Sequence, residues 1–194
     1  MKALRATFSQ HRADHWNGLA DKLVFIDEMG MHLGLTRLYG RAAPGERVVE
    51  ATAGYSSAHY TAVAALSARG IQAPFMLEGS MDSLAFETYV AQVLAPVLGP
   101  GDIVILDNLS FHKHDIIRTL IETRGATVEF LPPYSPDLNP IENCWSKAKA
   151  LLRAAKARTY DDLVNALAQA LRAVSGHDAL AWFAHCGYAV NTSG

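Results

Sequence analysis

The chain has 194 residues, of which 50% are hydrophobic and 19% are charged, and its formal net charge is −2. This length and composition suit one globular domain and exclude a wholly disordered chain, and no apolar run reaches the roughly 18 residues that a membrane-spanning helix needs. The polar N-terminus lacks the apolar segment of a signal peptide, so a cytoplasmic protein with Cys144 and Cys186 reduced is expected.

The first half of the chain is expected to consist mainly of strands, after an N-terminal arm over residues 1–22. Lys22–Asp27 is an apolar run rich in strand-forming residues, and Met31–Leu38 is interpreted as the second half of a hairpin. Two further strands are predicted at Tyr60–Leu66 and Ile71–Leu77, on either side of a short turn.

In the second half, helices and strands alternate, and two helices close the chain. Apolar periodicity and capping residues predict helices at 82–98, 115–124, Pro140–Ala155 and Thr159–Val174, and strands at Ile103–Leu106 and Val128–Leu131. A rigid, proline-rich loop connects the last strand to the helix at Pro140. This order of elements predicts an α/β fold, with a mixed sheet flanked by helices.

Three acidic residues are predicted to lie where strands end or a helix begins: Asp27, Asp107 and Glu142. Sites in α/β proteins are commonly built at the ends of strands, and three converging carboxylates would need cations. Mg²⁺ and Mn²⁺ prefer oxygen ligands and meet that need. Other roles stay open, because Asp after a strand is often a turn residue, and Glu142 can be the capping-box partner of an N-cap at Asn139.

Basic residues are clustered in spite of the negative net charge. The candidate DNA-binding cations are Arg37, Arg41, Lys149, Arg153 and Lys156. The last three follow Glu142 along one face of the predicted helix. A solvated face is the ordinary explanation of such a cluster. A DNA backbone lying along it would instead bring a scissile phosphate close to Glu142.

Three segments together resemble the mariner superfamily of transposases, and most closely its bacterial insertion-sequence branch, whose catalytic part is called a DDE endonuclease. The segments are Phe25–Glu28, Val104–Lys113 and Leu131–Glu142. Residues 108–141 separate the second acid from the third, which is the spacing typical of that branch. The resemblance covers about residues 20–190, and its Ser135–Glu142 block is highly specific.

The resemblance implies a ribonuclease-H-like fold, with a DDE catalytic domain over residues 23–190. It implies that the three acids Asp27, Asp107 and Glu142 are catalytic and hold two divalent ions, Mg²⁺ or Mn²⁺. It also gives Asn108, His112 and Lys113 a supporting role near the metal or DNA. The implied activity is two-metal phosphodiester hydrolysis and strand transfer at transposon ends, in cut-and-paste DNA transposition.

The partners implied by the resemblance are double-stranded DNA, as transposon ends and target, and a second copy of the chain on that DNA. Such a protein would work in the bacterial cytoplasm, at the nucleoid. Full-length members carry an N-terminal helix-turn-helix region, which residues 1–22 are too short to form, so that region is expected to be missing from this chain. The sequence also departs from the family at Gly54–Tyr60, where many relatives are more basic.

Three alternatives remain open at this stage. The first is another ribonuclease-H-like nuclease that cuts hybrids or junctions, because a fold does not fix a function. The second is a non-enzymatic remnant that binds DNA or a partner protein. The third is a metal phosphohydrolase for small molecules, which would leave the cationic helix face unexplained.

Overall fold

A five-stranded mixed sheet forms the centre of the molecule in this computed structural model, which describes residues 2–49 and 58–189. The strands are β1 (Leu23–His32), β2 (His59–Ser67), β3 (Gly70–Glu78), β4 (Ile103–Leu106) and β5 (Thr127–Phe130), in the order β3-β2-β1-β4-β5. The first three strands pair antiparallel, and β4 and β5 run parallel to β1. The predicted mixed sheet is therefore confirmed.

Helices cover both faces of this sheet. They are α1 (Lys2–His15), α2 (Ser83–Tyr89), α3 (Asp115–Glu122), α4 (Pro140–Ala155), α5 (Tyr160–Arg172) and α6 (Gly176–His185). Helix α2 begins at an N-cap, Asp82, whose carboxylate accepts a hydrogen bond of 2.8 Å from the backbone of Ala85. It continues through a π-helical turn and a 3-10 turn, and together these fill most of the helical stretch predicted at 82–98.

Strand alternation divides the core into two layers, one on each face of the sheet. Val24 and Ile26 of β1 pack with residues of α2 and α3. Phe25 and Met29, which point to the other face, pack with residues of α4, α5 and α6. Because side chains alternate along a strand, Asp27 and the residue after it in β1 point into opposite layers. This alternation decides where Asp27 and its neighbour Glu28 are directed.

The hairpin predicted from Met31–Leu38 is wrong. Strand β1 continues to His32, and its antiparallel partner is β2, with Met31 opposite Tyr60. Residues 33–49 contain no strand, and the side chain of Tyr39 is 89% exposed. Short-range alternation suggested a strand here, but the place beside β1 is taken by a segment farther along the chain. Most of the Gly54–Tyr60 segment lies outside the described residues.

The N-terminal residues form a helix that packs against the sheet layer containing α4. Phe8 and Trp16 are buried in that layer, and their rings meet edge to face at 5.5 Å. Arg12 donates a hydrogen bond of 2.9 Å to the carbonyl of Cys186, so α1 also contacts the segment after α6. None of the helices in the described ranges has the length and hydropathy that crossing a bilayer requires.

Candidate active site

Two of the predicted acids lie side by side on neighbouring parallel strands. In the pairing of β1 with β4, Phe25 is opposite Ile105, so two residues farther along each strand are Asp27 and Asp107. Asp27 lies within β1, and Asp107 directly follows β4. Because side chains alternate along a strand, Asp27 and Asp107 point to the same face of the sheet as Phe25 and Ile105. Those two residues belong to the layer that contains α4.

The third acid enters from the helix that covers this face. Helix α4 begins at Pro140, and Glu142 lies in its first turn with an exposed side chain. Ile141 and Trp145 are buried beneath it and fix the helix on the sheet. Asn139 is the N-cap residue but makes no side-chain capping bond, so the capping box considered for Glu142 does not form. The Glu142 carboxylate therefore takes no part in a capping box at the start of α4.

The three acids line one cavity of about 380 Å³. The rest of its lining comes from Asn108, Leu109, Asn139 and the loop of residues 131–136. Tyr134 of this loop has a backbone φ of 53°, a left-handed conformation that a bulky residue rarely adopts. The backbone strain and the acids thus occur in the same concave site, a combination that is typical of functional sites.

A buried histidine connects one of these acids to the other face of the sheet. His112, which is 1% exposed, donates from Nδ1 to Oδ1 of Asp107 at 2.7 Å. Its Nε2 lies 3.1 Å from Oε1 of Glu28. The backbone of Leu109 also donates to Oδ1 of Asp107, at 2.9 Å. Both hydrogen bonds that Asp107 accepts from described residues therefore end on one oxygen.

The electrostatic environment differs between the two aspartates. Burial raises the pKa of Asp27 well above its usual value, and the negative charges of Glu142, Glu28 and Asp107 add to the rise. Burial alone would also raise the pKa of Asp107, but hydrogen bonds from His112 and the Leu109 backbone outweigh it and hold this pKa below its usual value.

His112 itself is stabilised as a cation. Burial alone would lower the pKa of His112, yet hydrogen bonds to Asp107 and Glu28 and the charges of these two acids raise it to about 9. The imidazolium contacts two acids, Asp107 and Glu28, and the charges of these two act on Asp27 together with that of Glu142. The net charge of these four acids and His112 stays negative, and such a site favours a cation.

The residues present fit a divalent metal ion. Three carboxylates share the cavity. Asn139, which is 3% exposed, also belongs to the lining, and its Oδ1 has no hydrogen-bond partner among the described residues. Oxygen donors of this kind are what Mg²⁺ and Mn²⁺ prefer. In the described parts of the chain, no three His, Cys, Asp or Glu side chains are arranged so that they already enclose an ion. The fit therefore rests on the donor set and its charge.

The other predicted site residues have different positions. Asn108 lines the cavity, and Lys113 is exposed and close enough for its charge to lower the pKa of Asp107. The five candidate DNA-binding cations are Arg37 and Arg41 on the loop after β1, Lys149 and Arg153 on α4, and Lys156 at its C-cap. None of these five is among the described residues that line the cavity.

Sequence reasoning missed two residues of this site. Glu28 belonged to a recognised segment but received no role, although strand alternation places it opposite Asp27, in an apolar layer where an acid needs a partner. Asn139 was considered only as a helix cap. No pattern in the sequence indicates that its amide oxygen is buried and accepts no hydrogen bond from the part of the chain that the structure describes.

Comparison with known proteins gives both a family and a fold. A family model described as DDE superfamily endonuclease matches residues 22–164. No curated protein sequence matches the chain. Among solved structures, the Mos1 transposase paired-end complex with left transposon end is similar, with a TM-score of 0.71, 15% identity, and coverage of 95% of this chain and 57% of that chain.

A second similar structure is limited to one domain. It is the catalytic domain of Mos1 mariner transposase, with a TM-score of 0.64, 13% identity, and coverage of 95% of this chain and 85% of that chain. The chain thus spans little more than half of the Mos1 chain in the complex, but most of the Mos1 catalytic domain. The sheet and its flanking helices match a ribonuclease-H-like catalytic domain, as predicted. Because the family model covers most of the chain, this protein belongs to the DDE superfamily endonuclease family.

Proposed function

We propose that this chain is the catalytic domain of a cut-and-paste DNA transposase of the mariner superfamily, in its bacterial insertion-sequence branch. The observation that carries the proposal is that Asp27, Asp107 and Glu142 come from three separate elements and line one cavity, in a chain of the DDE endonuclease family. The proposed catalytic domain covers residues 23–190, with residues 1–22 as an N-terminal arm.

The proposed reaction is phosphodiester hydrolysis followed by strand transfer at transposon ends. Two Mg²⁺ or Mn²⁺ ions would supply an activated nucleophile and charge stabilisation at the attacking and leaving oxygens. Asp27 is assigned to hold both ions, and Asp107 and Glu142 are assigned one each. Asp27 and Asp107 lie on or next to rigid strands, so their spacing is set by the sheet rather than by a loop.

DNA would approach from the side on which Glu142 is exposed. Lys149, Arg153 and Lys156 lie farther along the same helix or at its C-cap, and the proposal places phosphates of the DNA backbone along them. Arg37 and Arg41, on the exposed loop after β1, are assigned to DNA as well. Asn108 and Lys113 are assigned to the DNA strand nearest the acids.

The proposed partners are transposon-end and target DNA, with two copies of the chain on the DNA. The similar Mos1 structures are described as paired-end and strand transfer complexes, which supports this part of the proposal. The proposed location is the bacterial cytoplasm, at the nucleoid.

A strand-joining assay tests this function. The full chain is incubated with Mn²⁺, a short duplex labelled at one 5′ end, and a supercoiled plasmid. Covalent transfer of the label to the plasmid is expected, because a transposase uses a free 3′-hydroxyl as its nucleophile. Asp107→Asn is the matched control, since it keeps the size of the side chain and removes the charged ligand.

Other outcomes would separate the competing functions. Cutting of an RNA–DNA hybrid or a junction without any joining would overturn the transposase proposal in favour of another ribonuclease-H-like nuclease. DNA binding without cutting in either metal would favour a non-enzymatic remnant. Hydrolysis of a small phosphodiester with no effect on DNA would favour a phosphohydrolase.

A further inference from the structure

Glu28 and His112 form a buried pair that contacts Asp107 from the side of the sheet opposite the cavity. Glu28 belongs to β1, but its side chain points into the layer opposite Asp27. His112 lies in the short turn after β4, and its side chain is fully buried. The Glu28 side chain is only 13% exposed. A carboxylate and an imidazole in this setting are costly to bury unless they are paired.

The geometry of the ring excludes a direct role for His112 as a metal ligand. Both of its nitrogens contact carboxylates, Nδ1 with Asp107 at 2.7 Å and Nε2 with Glu28 at 3.1 Å. A histidine that donates from both nitrogens has no lone pair left for an ion. The ring also packs against Phe86, with centroids 4.3 Å apart, which restrains its rotation.

The hydrogen bonds to Asp107 instead determine the orientation of its carboxylate. His112 and the backbone of Leu109 both donate to Oδ1. Two donors on the same oxygen fix the plane of the carboxylate and leave Oδ2 available to the cavity that Asp107 lines. Groups that hold metal-ligating carboxylates by hydrogen bonds are a general feature of metal sites, and their removal typically costs about 10- to 100-fold in affinity or activity.

We infer that Glu28 and His112 are positioning residues, which act in series to hold the Asp107 carboxylate in the orientation that a divalent cation requires. Glu28 fixes the ring of His112, and His112 fixes Asp107. This inference rests on the proposed function, because it assigns the cavity to a metal ion. It gives a specific role to Glu28 and His112, which meet in the layer opposite Asp27 and do not touch the reacting groups themselves.

Direct titration with Mn²⁺ in the absence of DNA tests the inference. Calorimetry on the full chain compares the wild type with Glu28→Gln and His112→Asn. Glutamine keeps the shape of Glu28 but not its charge, and asparagine is too short to contact Asp107 and Glu28 at the same time. Each substitution is expected to raise the Kd for Mn²⁺ about 10- to 100-fold. Excess Mn²⁺ should then restore nicking, with the KM for DNA unchanged.

A neighbouring histidine provides the matched control. His114 is exposed and makes no side-chain capping bond at the start of α3, so His114→Asn should leave the Kd for Mn²⁺ unchanged. Melting curves of every variant establish that it is folded. If His112→Asn fails to fold, the isosteric Glu28→Gln still decides the outcome.

The results separate this inference from the proposed function. Wild-type affinity for Mn²⁺ in folded Glu28→Gln and His112→Asn would overturn the positioning role, even if the protein joins DNA. A higher KM for DNA together with an unchanged Kd for Mn²⁺ would also overturn it. Weakened Mn²⁺ binding in both variants, in a protein that never joins DNA, would support the positioning role and contradict the transposase. A wild type that binds no Mn²⁺ would overturn both.

Discussion

The hydroxyl of Tyr188 donates a buried hydrogen bond of 2.7 Å to the carbonyl of Leu138, which joins the segment after α6 to the loop that precedes Glu142. The guanidinium of Arg12 lies 5.0 Å from the centre of the Tyr188 ring, so α1 supports the same contact. Arg5 of α1 also donates to the side chain of Asp137, at 2.9 Å. The loop that leads to the third acid is therefore held from both ends of the chain.

Removing the Tyr188 hydroxyl should destabilise the protein. Tyr188→Phe keeps the ring in its aromatic contacts but leaves the Leu138 carbonyl buried without this partner, and the expected decrease is about 1–3 kcal/mol in the free energy of unfolding. Urea unfolding measures the decrease. Tyr39→Phe is the control, because that side chain is 89% exposed and its change should have no measurable effect. Equal stability of the two variants would contradict the anchoring role.

Asn139 should behave unlike an ordinary N-cap. A capping Asn replaced by Ala typically costs about 0.5–2 kcal/mol of stability. Asn139, however, makes no side-chain capping bond, and within residues 2–49 and 58–189 its buried Oδ1 has no hydrogen-bond partner. Asn139→Ala is therefore expected to change the free energy of unfolding by less than about 0.5 kcal/mol, while lowering the rate of metal-dependent nicking.

Thr159 is the matched control for that substitution, because its side chain does cap α5 by accepting a hydrogen bond from Asp162. Thr159→Ala should lower the free energy of unfolding by about 0.5–2 kcal/mol, which is typical of a lost N-cap. The rate of nicking should not change. The Asn139 prediction fails if thermal or urea unfolding shows the two variants to be destabilised equally.

Stability at acid pH should depend on Asp178. Its carboxylate accepts from Lys147 at 2.8 Å and forms a capping box with Ser175 at the start of α6. These hydrogen bonds, first from Lys147 and then from Ser175, hold the pKa of Asp178 well below its usual value. A carboxyl whose pKa is lowered by folding stabilises the protein above its unfolded pKa of about 4. That contribution decreases below this pH and is lost as the pH passes the lowered pKa of the folded state.

Melting temperatures measured from pH 7 to pH 2 check this. Asp178→Asn should melt lower than the wild type at pH 7, and the difference should shrink as the pH falls. A difference that is constant with pH would mean that the Asp178 charge does not contribute to stability.

The cationic face of α4 should control non-specific DNA binding. Replacing Lys149 or Arg153 with Gln is expected to weaken binding to duplex DNA and to reduce the slope of log affinity against log salt by about 0.9 for each phosphate that is no longer neutralised. Arg124→Gln, on the opposite layer just after α3, should change neither quantity. Titrations at several salt concentrations measure the affinity for duplex DNA and the salt slope. An unchanged slope in the α4 variants would show that Lys149 and Arg153 do not contact DNA phosphates.

Much of the fold follows from local patterns in the sequence. Helix α4 begins at Pro140 and ends at Ala155 as predicted, because proline favours the first helical turn and the apolar residues recur at helical spacing. The Met31–Leu38 hairpin was wrong because strand partners are chosen over long distances, and local alternation does not identify the partner. Helix α6 was not predicted, since its short, strongly apolar sequence gives little periodic contrast.

The candidate site was predictable only in part, for a related reason. Strand ends and helix starts identify Asp107 and Glu142, because these positions follow from local sequence. Asp27 was expected at the end of a strand, but β1 continues past it to His32, so that part of the prediction was wrong. The link from Glu28 through His112 to Asp107 joins residues 84 positions apart across the sheet. Only the pairing of β1 with β4 brings these side chains together, and no spacing rule encodes that contact.

The assignment of the acid-lined cavity as a metal-dependent active site is best tested by a calorimetric titration of Mn²⁺ into the wild type and Asp107→Asn, with short duplex DNA present. Saturable binding of about two ions by the wild type is predicted, as expected for a two-metal site. Clear weakening is predicted in Asp107→Asn, with both proteins folded. Equal binding by both proteins, or no binding by either, would contradict the assignment.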